Sequence, residues 1–198
     1  MIAAAKRQIS RADILPTADY ARERRALRES VVAVKKHRRV EVGPFATFYF
    51  ENYQTMWHQV HEMLYIEKGG DAQIADELAA YNPLIPQGAE LVATVMLEIE
   101  DPVRRARTLA GLGHIERHMY VEVAGAKVYA ESESDVERTK EDGKTSSVHF
   151  VRFRFTPAQI AEFRKPGARV LIGIDHPNYG HIAVVSETGR AALAADFE

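Results

Sequence analysis

Histidine is the residue through which this 198-residue chain, which has no cysteine, could hold a metal or move a proton. The stretch from Ser147 to Phe155 alternates. His149, Val151, Phe153 and Phe155 share one face and Val148, Phe150, Arg152 and Arg154 the other, so His149 points where phenylalanines point. Further on, Asp175-His176-Pro177-Asn178-Tyr179-Gly180-His181 separates two apolar runs, Val170 to Ile174 and Ile182 to Val185. If those runs form a hairpin, His176 and His181 flank its neck. If the hairpin also neighbours the His149 strand, three imidazoles and the Asp175 carboxylate can surround one point, a ligand set that zinc or iron accepts. The plainer account makes His149 a hydrogen-bonded core residue, with His176 and His181 loop residues beside Pro177.

A competing metal half-site lies on a helix. His58 and His61 are three apart and Glu62 is four beyond His58, so the three converge on one point above the helix surface. The order matches neither H-E-x-x-H nor H-x-x-E-H, and two histidines on a solvated flank are the plainer reading. A third motif, Gly143-Lys144-Thr145, is like the end of a phosphate-binding P-loop, but Arg138 stands where the first glycine is required and a strand follows. Arg138 and Lys144 remain candidates to grip an anion.

The elements that must position these residues read as α+β. Phe45 to Phe50 is a short aromatic strand after Gly43-Pro44, and Asn52 caps a helix with Tyr53, Met56, Trp57, Val60, Met63 and Leu64 on one stripe. Thr17 to about Arg39 reads as a surface helix with a thin apolar stripe, and Asp71 to Tyr81 as another. Leu91 to Ile99 is a strand, and Asp101-Pro102 opens a short basic helix. Met119 to Val123 pairs across Ala124-Gly125 with Lys127 to Glu131, and Pro157 starts a helix to about Phe163. The expected fold is an antiparallel sheet of about five or six strands with the N-terminal and central helices packed on it. One domain spans 1–198, a basic helical segment 1–42 followed by an α+β body 43–198.

Without cysteine the chain has no disulfide, no thiolate zinc site and no iron–sulfur cluster of its own, and a reducing cytoplasm is expected. No apolar run reaches the length of a signal peptide or a membrane span. The net charge of −2 hides a split: residues 1–40 carry 11 Lys/Arg against 4 Asp/Glu, leaving 15 against 24 for the rest. A basic helix docking on the chain's own acidic body, or on a second copy in a homo-oligomer, accounts for it. Nucleic-acid binding would rest on charge alone, since no aromatic residues alternate with the arginines, and it is not expected.

The runs Glu137-Arg138-Thr139, Gly143 to Phe150 and Asp175 to Tyr179, with the Trp57 to Leu64 helix, resemble an uncharacterised bacterial family of proteins about this long, domain-of-unknown-function family 3501. The resemblance covers nearly the whole chain. Genes of that family often lie beside those for rubrerythrin-like proteins and an iron–sulfur oxidoreductase, which implies a redox or peroxide-defence setting with such proteins as partners. It brings no catalytic residues. Three functions are open: an accessory protein of an iron or redox pathway binding a metal (Fe or Zn) through histidines; a metal-assisted hydrolase or oxidase with Glu62 as general base; and a metal-free interaction module using the basic helix.

Overall fold

Alternation along the strands divides them between two sheets. A computed structural model describes residues 6–132 and 144–198. In chain order the elements are α1 (Thr17–Lys36), β1 (Arg39–Val42), β2 (Ala46–Phe50), α2 (Tyr53–Glu67), α3 (Gln73–Tyr81), β3 (Glu90–Leu97), α4 (Pro102–Ala110), β4 (Met119–Val123), β5 (Ala126–Tyr129), β6 (Glu131–Ser132), β7 (Val148–Arg154), α5 (Pro157–Arg164), β8 (Val170–His176), β9 (Tyr179–Val184) and α6 (Glu187–Ala194). A five-stranded antiparallel sheet has the order β1-β2-β3-β7-β6, and a four-stranded one the order β5-β4-β8-β9. Their inner faces meet in one cluster, with Phe48, Phe50, Val95 and Phe153 from the first sheet against Val121, Val123, Val170 and Ile172 from the second. Each such side chain contributes roughly 1.5–3 kcal/mol by leaving water, which is why alternation decides the layering.

The α+β class holds, and the five-stranded sheet carries the central helices on its outer face, where Met56, Val60, Leu64 and Ile74 close a second cluster over Val92 with Ile9 from the N-terminal segment. The four-stranded sheet is an addition to the single sheet that the sequence suggests. It arises because β4 pairs with β8, a partner 50 residues away by the register Met119↔Ile174 to Val123↔Val170, which no local pattern shows.

Two local departures matter. Residues 39–42, expected at the end of the first helix and in the basic N-terminal segment, form β1, paired with β2 through Gly43 at φ +71°. Arg38 within that basic run is buried: its guanidinium donates to the carbonyls of Phe50 (3.0 Å) and Glu51 (3.0 Å) and pairs with Asp196. The basic helix α1 docks on the chain's own α2, with Arg24 forked onto Glu62 at 2.8 Å through both nitrogens. Among the described residues no helix is long and apolar enough to cross a membrane.

Candidate functional site in a histidine-bearing turn

Between α4 and β4 the chain runs Gly111-Leu-Gly-His114-Ile-Glu116-Arg-His118. Leu112 and Ile115 sink into the core and act as plugs, and His114 takes a left-handed conformation (φ 59°) that opens a 3₁₀ turn over Ile115–His118. With the turn anchored from below, His114, Glu116 and His118 are held against β7 and β8.

Outside the sheet pair, His118 Nδ1 donates to Asp175 Oδ1 at 3.2 Å. The other oxygen of Asp175 accepts from Tyr129 Oη at 2.7 Å and from Lys127 Nζ at 3.2 Å. β5 presents Lys127 and Tyr129 on the outer face of the sheet, the face on which Asp175 stands in β8. Partial burial pushes the Asp175 carboxyl up, but the Tyr129, Lys127 and His118 donors together outweigh it and hold it below the usual carboxylate range. The acceptor fixes the His118 tautomer with its proton on Nδ1, and Nε2 has no hydrogen-bond partner among the described residues. The ring is 38% exposed, so that nitrogen is a base open to solvent and oriented by a carboxylate.

Inside the sheet pair, His149 projects from β7 opposite Val95, 1% exposed. Its Nε2–H donates to the Ser146 carbonyl at 2.9 Å, with Thr145 Oγ1 at 3.3 Å. Nδ1 faces Glu116 Oε2 at 3.6 Å, and the other Glu116 oxygen stands 3.8 Å from His114 Nδ1. A carbonyl can only accept, so the Nε2 proton is committed. His176 lies between the two arrangements. Its Nε2–H donates to the Gly113 carbonyl (3.3 Å), its Nδ1 accepts from Asn178 N–H (3.2 Å), and its ring stands edge-on to His118 at 5.0 Å. Burial lowers its pKa, so it stays neutral.

The cluster of His149, His176, His181 and Asp175 expected around one metal does not assemble. Asp175 and His176 are successive residues of a strand, not of a turn, and therefore face opposite sides of the sheet. His176 has spent both ring nitrogens. His181 is carried to the β1–β2 turn, where it packs on Tyr179 (4.5 Å between rings) over Gly43; a Cβ at Gly43 would lie 2.5 Å from the His181 ring. The Tyr179 hydroxyl donates to the Val42 carbonyl beside it (2.7 Å) and receives Ala46 N–H (3.1 Å), so this corner latches the two sheets.

The competing set on α2 is consumed by α1. His61 Nδ1 donates to the Trp57 carbonyl (2.7 Å) and Nε2 accepts from Leu15 N–H (3.0 Å). Glu62 is bridged by Arg24 and by the Tyr20 hydroxyl (2.6 Å), and these hold its carboxyl down to about 2, too weak a base for the general-base role expected of it. His58 is buried rather than solvated. Among the described residues no group of three or more histidine or carboxylate side chains is spaced to hold a metal ion. Lys144 adjoins Thr145, whose N–H is bound to the Leu109 carbonyl at 3.1 Å; Arg138 and Gly143 lie outside the described residues. His114, Glu116 and His118 escaped the sequence reading. The signal was present as His-x-Glu-x-His, two residues apart each time, directly before a strand.

Two facing antiparallel sheets bridged by a histidine-bearing turn, with helices on one outer face, define the class of this protein. The chain belongs to the family described as Protein of unknown function (DUF3501), whose pattern matches residues 8–197. It is similar to a crystal structure of a novel protein of unknown function from Burkholderia pseudomallei K96243, with 39% identity, a TM-score of 0.89, and coverage of 96% of this chain and 100% of that one. No curated protein matches it.

Proposed function

We propose that the chain is a proton-transfer catalyst of hydrolase type, with His118 as general base and Asp175 as the carboxylate that orients it. The observation that carries this reading is the 3.2 Å contact from His118 Nδ1 to Asp175, with Nε2 left open. A water or substrate hydroxyl gives its proton to Nε2, and the imidazolium so formed is stabilised by Asp175, whose charge Tyr129 and Lys127 keep in place. The arrangement is an oriented acid–base dyad at the end of an uncovered sheet face. The metal-carrying accessory reading draws less support, because among the described residues no three histidine or carboxylate side chains are spaced to share one metal ion.

The test is hydrolysis of p-nitrophenyl acetate from pH 5 to 9. His118→Ala should lower the rate by about a hundredfold, the scale of positioned general-base catalysis, and Asp175→Asn by about tenfold, with His181→Ala unchanged. Equal rates for the wild type and His118→Ala would overturn the proposal. Elemental analysis showing one metal per chain, lost in His118→Ala, would replace it with the metal-binding reading.

A further inference from the structure

At the opposite side of α1 a cleft of about 560 Å³ opens between the end of α1, the start of α2, residues 85–86 and α6. Ala33, Ala192 and Ala195 line it, side chains too small to fill the space between the elements. Its walls are mostly apolar, with Val34 and Ile85 among them, and its volume suits a small organic ligand. Of the charged residues that line it, Lys6 is paired with Asp13 and Arg38 with Asp196, while Arg7 is met only by the exposed Glu198.

Arg7 is set like a receptor for a carboxylate. One of its terminal nitrogens donates to the carbonyls of Pro86 (3.0 Å) and Asp196 (2.8 Å), which fixes the guanidinium plane. The remaining edge, Nε and Nη2, points at a single oxygen of Glu198, each at 3.2 Å. The Glu198 side chain is 65% exposed, while that of Arg7 is 18% exposed. An exposed carboxylate held through one oxygen on a pre-oriented guanidinium fork is an occupant that another carboxylate can displace.

We propose that this cleft binds a small amphipathic carboxylate, its head on the Arg7 fork in place of Glu198 and its tail along Val34, Ile85 and the alanines. The site shares no residue with the His118–Asp175 dyad and stands independently of it.

Calorimetric titration with octanoate, and with octanol as the uncharged counterpart, tests it. Octanoate should bind once per chain and at least tenfold more tightly than octanol. Ala192→Phe, which fills the cleft, should abolish binding, and Arg7→Gln should weaken it at least tenfold. Glu198→Ala should strengthen it several-fold by freeing the fork, a gain that misfolding cannot imitate. No saturable octanoate binding, or binding indifferent to Ala192→Phe and Glu198→Ala, would overturn the proposal.

Discussion

His61 in α2 and His118 before β4 carry the same side chain in opposite states. His61, 2% exposed, has Nδ1 bound to Trp57, Nε2 bound to Leu15 and its ring 3.9 Å from that of Trp57. His118 has one nitrogen on a carboxylate and the other open. The difference lies in what packs above each. α1 lies over the polar flank of α2 and spends its groups on cohesion, whereas His118 and Asp175 stay 38% and 35% exposed. Helical spacing places His58, His61 and Glu62 together whatever packs above them. A cluster becomes reactive only where the tertiary structure leaves a lone pair unspent.

The comparison breaks most severely at Trp57. It is half-buried between α2 and the N-terminal segment, with Nε1 donating to the Asp13 carbonyl at 2.8 Å. Trp57→Ala should cost about 3 kcal/mol in urea unfolding, the lower end for a large-to-small aromatic change because part of the ring faces solvent. Next comes the pair of histidine deletions. His61→Ala leaves the half-buried Leu15 N–H without its acceptor and a void where the buried ring packed on Trp57 and Tyr20, and should cost about 2 kcal/mol. His118→Ala should cost under about 0.5 kcal/mol, as an exposed side chain whose hydrogen bond is a surface pair. Similar losses from both would erase the distinction drawn between them.

Much of the fold was legible because it rests on local periodicity. The His149 face of β7, the β8–β9 hairpin and the stripe of α2 all follow from spacing alone. The division into two sheets was not, since β4–β8 pairing is a matter of which strand lies beside which. The site was half legible. Asp175 stood out by its neighbours in the sequence, but its partner His118 is 57 residues away and sits in a turn with no period. Glu62 misled for the reverse reason: its spacing to His58 was right, and the Arg24 and Tyr20 that neutralise its chemistry come from another helix.

Acid should loosen the α1–α2 contact in a graded way. Burial holds the pKa of His58 and His61 below the ordinary 6.5, so the unfolded chain binds protons that the folded chain refuses. The stability they confer is present above 6.5 and is lost as pH falls below it. Glu62, held at about 2 against an ordinary 4.5 chiefly by Arg24, keeps its contribution above 4.5 and loses it between 4.5 and about 2. After discounting for solvent screening, that second step is on the order of 1–2 kcal/mol. Unfolding midpoints followed by Trp57 fluorescence should therefore fall in two stages, and Arg24→Ala should remove the lower one. A single stage centred near pH 4 in the wild type would contradict the assignment.

The smallest expected effect is the most informative about the turn. Asp175→Asn keeps an amide oxygen able to accept from His118 Nδ1–H, turns an NH2 toward Tyr129, whose hydroxyl can accept from it, and removes the charge that Lys127 shares. Asp175 is 35% exposed and its cationic partners are similarly open, so the substitution should change stability by under about 0.5 kcal/mol, the range of surface pairs. Nitrogen-15 spectra should still show the proton of neutral His118 on Nδ1. The same variant should nevertheless hydrolyse the ester about tenfold more slowly, because an amide cannot stabilise the imidazolium as a carboxylate does. If Asp175→Asn instead lowers stability by more than about 1.5 kcal/mol, the four-residue cluster is a structural staple like the α1–α2 contact, and the contrast between the two regions fails.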